Sequence, residues 1–461
     1  MPLTRYPVVT RRTFLRGAAA AALAGPYVIA SSALGQERPA PSNRIHVAVI
    51  GTGGQGGGHV QGLGHDRSVQ VVAVCDADTG RRNGARDWVN SNYAKDAPGG
   101  KYSGCLDFKD FRDVISRPDV DAVLIAAPDH WHGLISAWAM RAGKDVYCEK
   151  PMASTIGDGR ASADAARRYG RVFQTGSQER SGQARHACEL VRNGRIGKLH
   201  TIRTYLPMEP HCLQAQGDAP PMPVPDGFDY DMWLGPAPWA PYTEKRCHFN
   251  FRWILDYSDG ELTDRGAHVN DIALWGAGPL LTGPVGIMAT QGKFRQDTLW
   301  NVPIAFHLEY AYASGLKIIC EASGERGIRF EGTEGWIFVA IHGGHLTADP
   351  PGILKSVIGP NEIHYHRPRG DHRGDWLSAI RDRGPRSPPP TTGIAPPRSA
   401  TSASSPCNSS ARSSGTSRRN ALSTTTRPPA WSRGPRGARG GCDAPRARSA
   451  ARHLARHPRR R

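Results

Sequence analysis

The chain has 461 residues, 39% of them hydrophobic, which favours two or three domains with room for a sizeable core. Its formal net charge of +18 sits at the ends: residues 385–461 carry 16 Arg against one acid, Asp443, and residues 1–36 carry four Arg and no acid. The body between is close to neutral, which excludes an electrostatic footprint for nucleic acid or a membrane surface, and nine cysteines without a C-x-x-C pair exclude a disulfide framework or zinc site.

Thr10-Arg11-Arg12-Thr13-Phe14-Leu15-Arg16 resembles the twin-arginine export signal. An Ala-rich apolar run over 17–29 and the small residues Ala33-Leu34-Gly35 follow, as in a cleaved targeting segment. That run is too short and too Ala-rich for a stable membrane span. The expectation is a signal peptide over 1–35 and an arm over 36–43. The protein would be periplasmic or otherwise extracytoplasmic, with the twin-arginine translocon as its partner during export.

Residues 44–50 then read as a buried strand running into the Gly-rich 51–58. Apolar runs at 69–75 and 121–127, a helical stretch at 133–142 and a run at 145–148 continue the pattern. Short apolar runs alternating with helical ones indicate βαβ units and a parallel sheet. From about Gly197 the texture changes to Trp- and Pro-rich loops (220–242), then alternating runs at 304–309, 317–321, 328–330 and 336–340. The fold class expected is α/β: an N-terminal Rossmann dinucleotide-binding domain over 44–170, then an α+β domain over 171–384 with a mostly antiparallel open sheet.

Gly51-Thr52-Gly53-Gly54-Gln55-Gly56 is G-x-G-x-x-G directly after a strand. Glycine lets the backbone turn sharply and approach a pyrophosphate at the next helix N-terminus. Asp76, 25 residues after Gly51, closes the next strand, where a carboxylate accepts hydrogen bonds from ribose hydroxyls and repels a 2′-phosphate. NAD is thereby favoured over NADP, although Arg81 and Arg82 are near enough to offer phosphate contacts. Ala126-Ala127-Pro128-Asp129-His130-Trp131-His132 and Tyr147-Cys148-Glu149-Lys150-Pro151 also follow strands, at the sheet edge where ligands bind in such folds. Lys150 there can stabilise negative charge developing on an oxygen during hydride transfer, or be an ordinary surface lysine.

If residues from about Leu262 are helical, Asp264 and His268 stand at i and i+4 on one face. A histidine beside a carboxylate suits acceptance of a hydroxyl proton; the same spacing also suits a plain ion pair. No metal site is expected, since His342/His345 and His364-Tyr365-His366 lack carboxylate or Cys companions at recurring metal spacing.

The runs GTGGQG, APDHWH, YCEKPM, GSQER (176–180), WLGPAPWAPY (233–242) and 249–275 stand in fixed order across about 44–384. Together they resemble the glucose-fructose oxidoreductase/inositol dehydrogenase (Gfo/Idh/MocA) family, in particular its twin-arginine-exported members. The resemblance implies a tightly bound nicotinamide cofactor contacted by Gly51, Gly53, Gly56, Asp76, Pro128, His132, Glu149, Lys150 and Gln178. It implies a sugar or cyclic polyol substrate, His268 as acid/base, Lys150 touching substrate and nicotinamide ribose, Asp264 orienting His268 or contacting substrate, and a homo-oligomer. Arg265 and Val269 depart from residues common in exported relatives, a Trp and a second His, and could alter the substrate pocket. The rivals are an NAD-dependent glycosidase, as in the family's α-N-acetylgalactosaminidase branch, and a non-catalytic sugar- or nucleotide-binding protein. The retained Lys150, Asp264 and His268 argue against the latter.

Residues 385–461 are rich in Ser, Pro, Arg and Thr without apolar periodicity, the composition of a disordered basic tail. The change is abrupt after the amphipathic stretch 375–381. Read one frame over, Ser codons of the TCN type give Leu, Ile, Val or Phe, and the shifted frame from Pro385 permits a sequence like the family's terminal helix. A reading-frame slip near Gly384 is the expectation.

Overall fold

Apolar runs without alternation, such as Ile45–Ile50, need both faces covered, and a parallel sheet between helices supplies that. In the computed structural model, which describes residues 43–207, 219–278, 281–295, 298–366 and 370–382, all of these lie in one compact unit. The expected signal peptide 1–35, the expected arm except Asn43, and the tail 385–461 lie outside the described residues.

The first sheet contains β1 (Ile45–Ile50), β2 (Val69–Cys75), β3 (Leu106–Phe108), β4 (Ala122–Ile125), β5 (Asp145–Cys148) and β6 (Phe173–Thr175), in spatial order β3-β2-β1-β4-β5-β6. All its pairings are parallel. Strand order reverses between β1 and β4, the switch point that opens a crevice beyond the carboxyl ends of the strands. Val47, Val49, Val71, Val74, Val123 and Leu124 are fully buried in it. The helix after β4, α4 (Asp129–Arg141), begins four residues before the 133 start read from sequence; α1 (Gly54–His65), α2 (Thr79–Ala94) and α3 (Phe111–Ile115) precede it.

The second sheet has order β13-β12-β11-β7-β10-β9-β8. It is built from β7 (Leu199–Leu206), β8 (Pro284–Phe294), β9 (Pro303–Tyr312), β10 (Lys317–Ala322), β11 (Gly327–Gly332), β12 (Gly335–Ala340) and β13 (Leu346–Asp349). Every pairing is antiparallel except β7 with β10. After α5 (Ile156–Tyr169) come α6 (Gln183–Arg192), α7 (Tyr230–Leu234) and α8 (Gly266–Ala277). Val269, Ile272, Ala273 and Ala277 of α8 stand at helical spacing and share one core with Ala187 and Leu190 of α6 and Ile202, Phe330 and Ile337 of the sheet.

Both limits of the expected second domain need correction. Strand β6 lies beyond residue 170 yet pairs with β5, because Val146 needs a partner on its open side. The last described helix, α9 (His372–Asp382), returns to the first domain: Trp376, Leu377 and Ile380 join the core around Val47, Val49 and Leu63. Tyr147 Oη and His372 Nδ1 are hydrogen-bonded at 2.7 Å, and Gln174 Nε2 donates to the His372 carbonyl at 2.6 Å. The three apolar residues of α9 belong to the sheet that began the chain.

Candidate active site

The Gly-rich turn needs its glycines. Gly51 has φ +85°, and a Cβ there would lie 2.5 Å from the Ala126 carbonyl carbon, so the turn can pass close to β4 only without a side chain. A Cβ on Gly56 would sit 1.9 Å from the Gly51 oxygen, which locks α1 against the turn. Helix α1 starts without a capping side chain or an acidic residue in its first turn, so its end N–H groups can receive an anion.

Beside it opens a cleft of about 440 Å³ lined by Gly51, Gly53, Asp76, Pro128, Lys150 and Arg252 among others. Asp76 Oδ2 accepts from Thr52 N–H at 2.7 Å and Thr52 Oγ1 at 3.2 Å, so the carboxylate that closes β2 also holds the Gly-rich turn. The glycine cradle, the uncapped helix and this carboxylate together fit a dinucleotide. Of the two arginines, Arg82 is committed to Asp107 and the Asp76 carbonyl, whereas Arg81 lies over Gly53 in the cleft.

Lys150, at the end of β5, lines the cleft and donates to the Asp264 carboxylate and, at 3.2 Å, to the Asp264 carbonyl. The Arg252 guanidinium lies 3.5 Å from the same carboxylate and packs on Phe249 and Phe251. Burial alone would raise the pKa of Asp264; Lys150 and Arg252 outweigh it and hold the group well below the carboxylate range. The expected i, i+4 pairing of Asp264 with His268 does not form. A short 3₁₀ turn, Gly260–Leu262, comes first, Gly260 having φ +66°, and α8 starts only at Gly266. Asp264 therefore precedes the helix and serves Lys150.

His268 is 5% exposed, and its Nδ1 is buried without a partner among the described residues. Burial, then the charge of Lys150 and the neighbouring His342, push its pKa down to about 4. The ring is neutral at ordinary pH and able to accept a proton. Neither Asp264 nor His268 lines the cleft itself; Lys150 bonds Asp264 to it and acts on His268 through its charge.

Of three further expected cofactor contacts, Glu149 and His132 line the cleft and Gln178 does not. Glu149 Oε1 pairs with His59 Nε2 at 2.7 Å and accepts from Gln178 Nε2 at 2.7 Å, while Oε2 accepts from Lys150 N–H at 3.1 Å. Against its burial, His59 and Lys150 hold Glu149 at about 2. Gln178 is used in supporting Glu149. His132 is 1% exposed, with its ring nitrogens 2.6 Å from the Pro151 carbonyl and 2.7 Å from the Ala127 carbonyl. It fastens the loop after Lys150 to the end of β4. Glu149 and His132 reach the cleft as wall, with their polar atoms already occupied. Of the two departures from the family pattern, Val269 is fully buried in the second core and Arg265 pairs with buried Glu261 at 2.5 Å.

Sequence reasoning picked out GSQER and named Gln178 as a cofactor contact, but assigned no role to Glu179 or Arg180, which tie the halves together. In GSQER, Gln178 reaches Glu149, Glu179 Oε1 accepts from His342 N–H and Nδ1–H at 3.2 and 3.1 Å, and Arg180 grips Asp271 of α8 at 2.7 and 2.6 Å. Three consecutive side chains thus fasten three elements around His268. Among the described residues no group of His, Cys, Asp and Glu could hold a metal ion, and the six described cysteines are all buried.

Models of one oxidoreductase family match both halves: its NAD-binding Rossmann fold over residues 45–177 and its C-terminal alpha/beta domain over 211–350. An inositol 2-dehydrogenase of Rubrobacter xylanophilus is 35% identical over 160 residues, 34% of this chain and 42% of that protein. A glycosyl hydrolase family 109 protein of Shewanella is 35% identical over 161 residues, 32% of this chain and 34% of that protein. The chain thus spans less than half the length of these curated relatives. Among solved structures, an aldose-aldose oxidoreductase from Caulobacter crescentus superposes with a TM-score of 0.53 at 20% identity, covering 76% of this chain and 92% of that one. GenD2 from gentamicin A biosynthesis, in complex with NAD, gives 0.52 at 20%, covering 77% and 91%. The structural likenesses speak to fold alone, but with both family models in register along the chain, this protein belongs to the Gfo/Idh/MocA oxidoreductase family.

Proposed function

We propose that the chain is an NAD(P)-dependent oxidoreductase that acts on a CH–OH group of a sugar or cyclic polyol. The observation that carries this is Lys150, held by Asp264 at the mouth of the glycine cleft with neutral His268 behind it. When bound, the nicotinamide supplies the hydride acceptor. Lys150 donates to the substrate oxygen and stabilises charge developing there; Asp264 and Arg252 fix where its ammonium points. His268 takes the hydroxyl proton. Steady-state assays against a panel of polyols and aldoses with each nucleotide test the reading, and a chain that reduces neither nucleotide with any of them sinks it.

The preferred cofactor is NAD, through Asp76. Asp76→Ser is expected to cost about 1–3 kcal/mol of NAD binding, the scale of a lost hydrogen bond to a charged acceptor, and to narrow discrimination against NADP. Titration of both nucleotides against wild type and variant checks it; tighter NADP than NAD binding by the wild type refutes it. The twin-arginine motif supports export of a prefolded, cofactor-loaded protein. Outside the cytoplasm no free nucleotide pool exists, so the cofactor is held tightly and recycled in place by a second substrate. The fully exposed edge strand β8, with Val285, Ile287 and Met288 uncovered, supports a homo-oligomer.

A second reading is favoured by the glycosyl hydrolase relative: transient oxidation of a bound sugar, elimination of its leaving group and no net redox. Hydrolysis of an aryl glycoside without consumption of added NAD distinguishes the two.

For residues 385–461 the proposal is a frame slip near Gly384, so that the +18 charge says nothing about partners. Resequencing across the Gly384 codon is expected to restore a family-like terminal helix. An intact frame, with protease-resistant residues beyond Pro385, makes the tail a genuine part of the protein.

A further inference from the structure

His268 can accept a proton but is poorly placed to keep it. Its ring is nearly buried, Nδ1 has no partner among the described residues, and Lys150 adds a like charge nearby; Glu149 and Glu179 are the acids that act on it from the other sides. Among the described residues, the titratable ring against it is that of His342, 5.3 Å between centroids and nearly perpendicular at 86°.

His342 is held in an unusual way. It sits between β12 and β13 at φ +59°, a left-handed conformation that non-glycine residues rarely adopt. Two bonds to one carboxylate oxygen keep it there, from its N–H at 3.2 Å and its Nδ1–H at 3.1 Å to Glu179 Oε1. With Nδ1 donating, Nε2 carries the free lone pair. Unlike His268, the His342 side chain is 38% exposed. The pattern is a second imidazole within 5.3 Å of the buried base, a carboxylate bonded to its Nδ1, and a solvent-exposed side.

We propose that His342, oriented by Glu179, relays the substrate proton between His268 and solvent. This rests on His268 being the acid/base. In the oxidising direction the substrate C–H breaks with both electrons leaving as hydride to the oxidised nicotinamide dinucleotide. The O–H proton goes to His268 as the carbonyl forms. His268 then passes one proton to His342 Nε2, directly or through one water, and His342 gives it to bulk solvent. One alcohol and one oxidised cofactor become one carbonyl, one reduced cofactor and one free proton. His342 acts through His268 and need not touch the substrate.

The test compares wild type, His342→Ala, Glu179→Gln and His268→Ala in oxidation of myo-inositol and D-glucose with NAD, alongside nitrogen-15 NMR titration of the histidines in the full chain. His342→Ala should slow turnover about 10–100-fold with KM and NAD affinity unchanged, gain a solvent deuterium isotope effect, and recover with added imidazole. Glu179→Gln should show a weaker form of the same defect. The NMR readout needs no turnover: removing His342 takes one neighbouring positive charge away, so the His268 titration should move upward. A His342→Ala rate equal to wild type at every imidazole concentration, or a His268 titration indifferent to the substitution, overturns the relay. A His268→Ala enzyme as fast as wild type overturns the acid/base assignment instead.

Discussion

His268→Ala is expected to lower turnover by about 10²–10⁴-fold, the range for loss of a general acid/base, while nucleotide binding survives. The two effects separate because His268 does not line the cleft that Gly51, Gly53 and Asp76 form. Lys150→Met should fall by a similar amount for a different reason: it removes the donor to the substrate oxygen and leaves the Asp264 carboxylate without its hydrogen-bonded ammonium, with Arg252 still 3.5 Å away. The pH dependence follows from the direction of the His268 shift. An imidazole pushed down to about 4 is neutral, and so competent as a base, at every pH above that value. As far as His268 itself sets the rate, oxidation should hold as pH falls through the ordinary histidine range of about 6–7 and fail only near 4, a limit that the pH profile of His342→Ala isolates. Stopped-flow or steady-state rates across pH, with nucleotide titration by fluorescence, measure all of this. Variants at both positions that match wild-type rates would return Lys150 and His268 to structural roles.

Much of this site was legible because its signals are local. G-x-G-x-x-G after a strand and an acid closing the next strand are contiguous patterns, and the glycines are explained by single close approaches at Ala126 and Gly51. Strand β2 and strand β5 have the limits read from their apolar runs. The Asp264–His268 pairing was misread because the helix was started at about Leu262, whereas a short 3₁₀ turn over Gly260–Leu262 comes first and α8 begins only at Gly266, past Asp264. Glu179 and His342 are 163 residues apart and meet only through the second sheet, so spacing carried no trace of them. Strand β8 was overlooked for another reason. It is an edge with every residue exposed, and a strand that buries neither face leaves no in–out periodicity to read. The return of α9 to the first core is invisible in sequence for a similar reason, since an amphipathic helix does not say which apolar surface it will cover.

Removing Arg180 alone should destabilise the chain by about 3–5 kcal/mol, the cost of leaving a buried charge uncompensated. Asp271 is 1% exposed and receives both Arg180 bonds, at 2.7 and 2.6 Å. The guanidinium also packs over Trp275 at 5.0 Å, so its aliphatic stem fills space beside α8. Arg180→Met retains most of that volume and isolates the charge effect. The double variant Arg180→Met/Asp271→Leu removes both ions together and should recover most of the loss, because the desolvation of a buried pair cancels much of its attraction. Urea midpoints for the wild type, Arg180→Met, Asp271→Leu and the double variant complete the cycle. Equal losses in Arg180→Met and in the double variant would mean that packing on Trp275, not the ion pair, is what Arg180 contributes. The stable double variant has a second use. With α8 released from the 178–181 turn, Glu179 and His268 lose their common anchor, so a folded double variant that turns over slowly would place the value of the pair in registering the acid/base helix against the His342 loop.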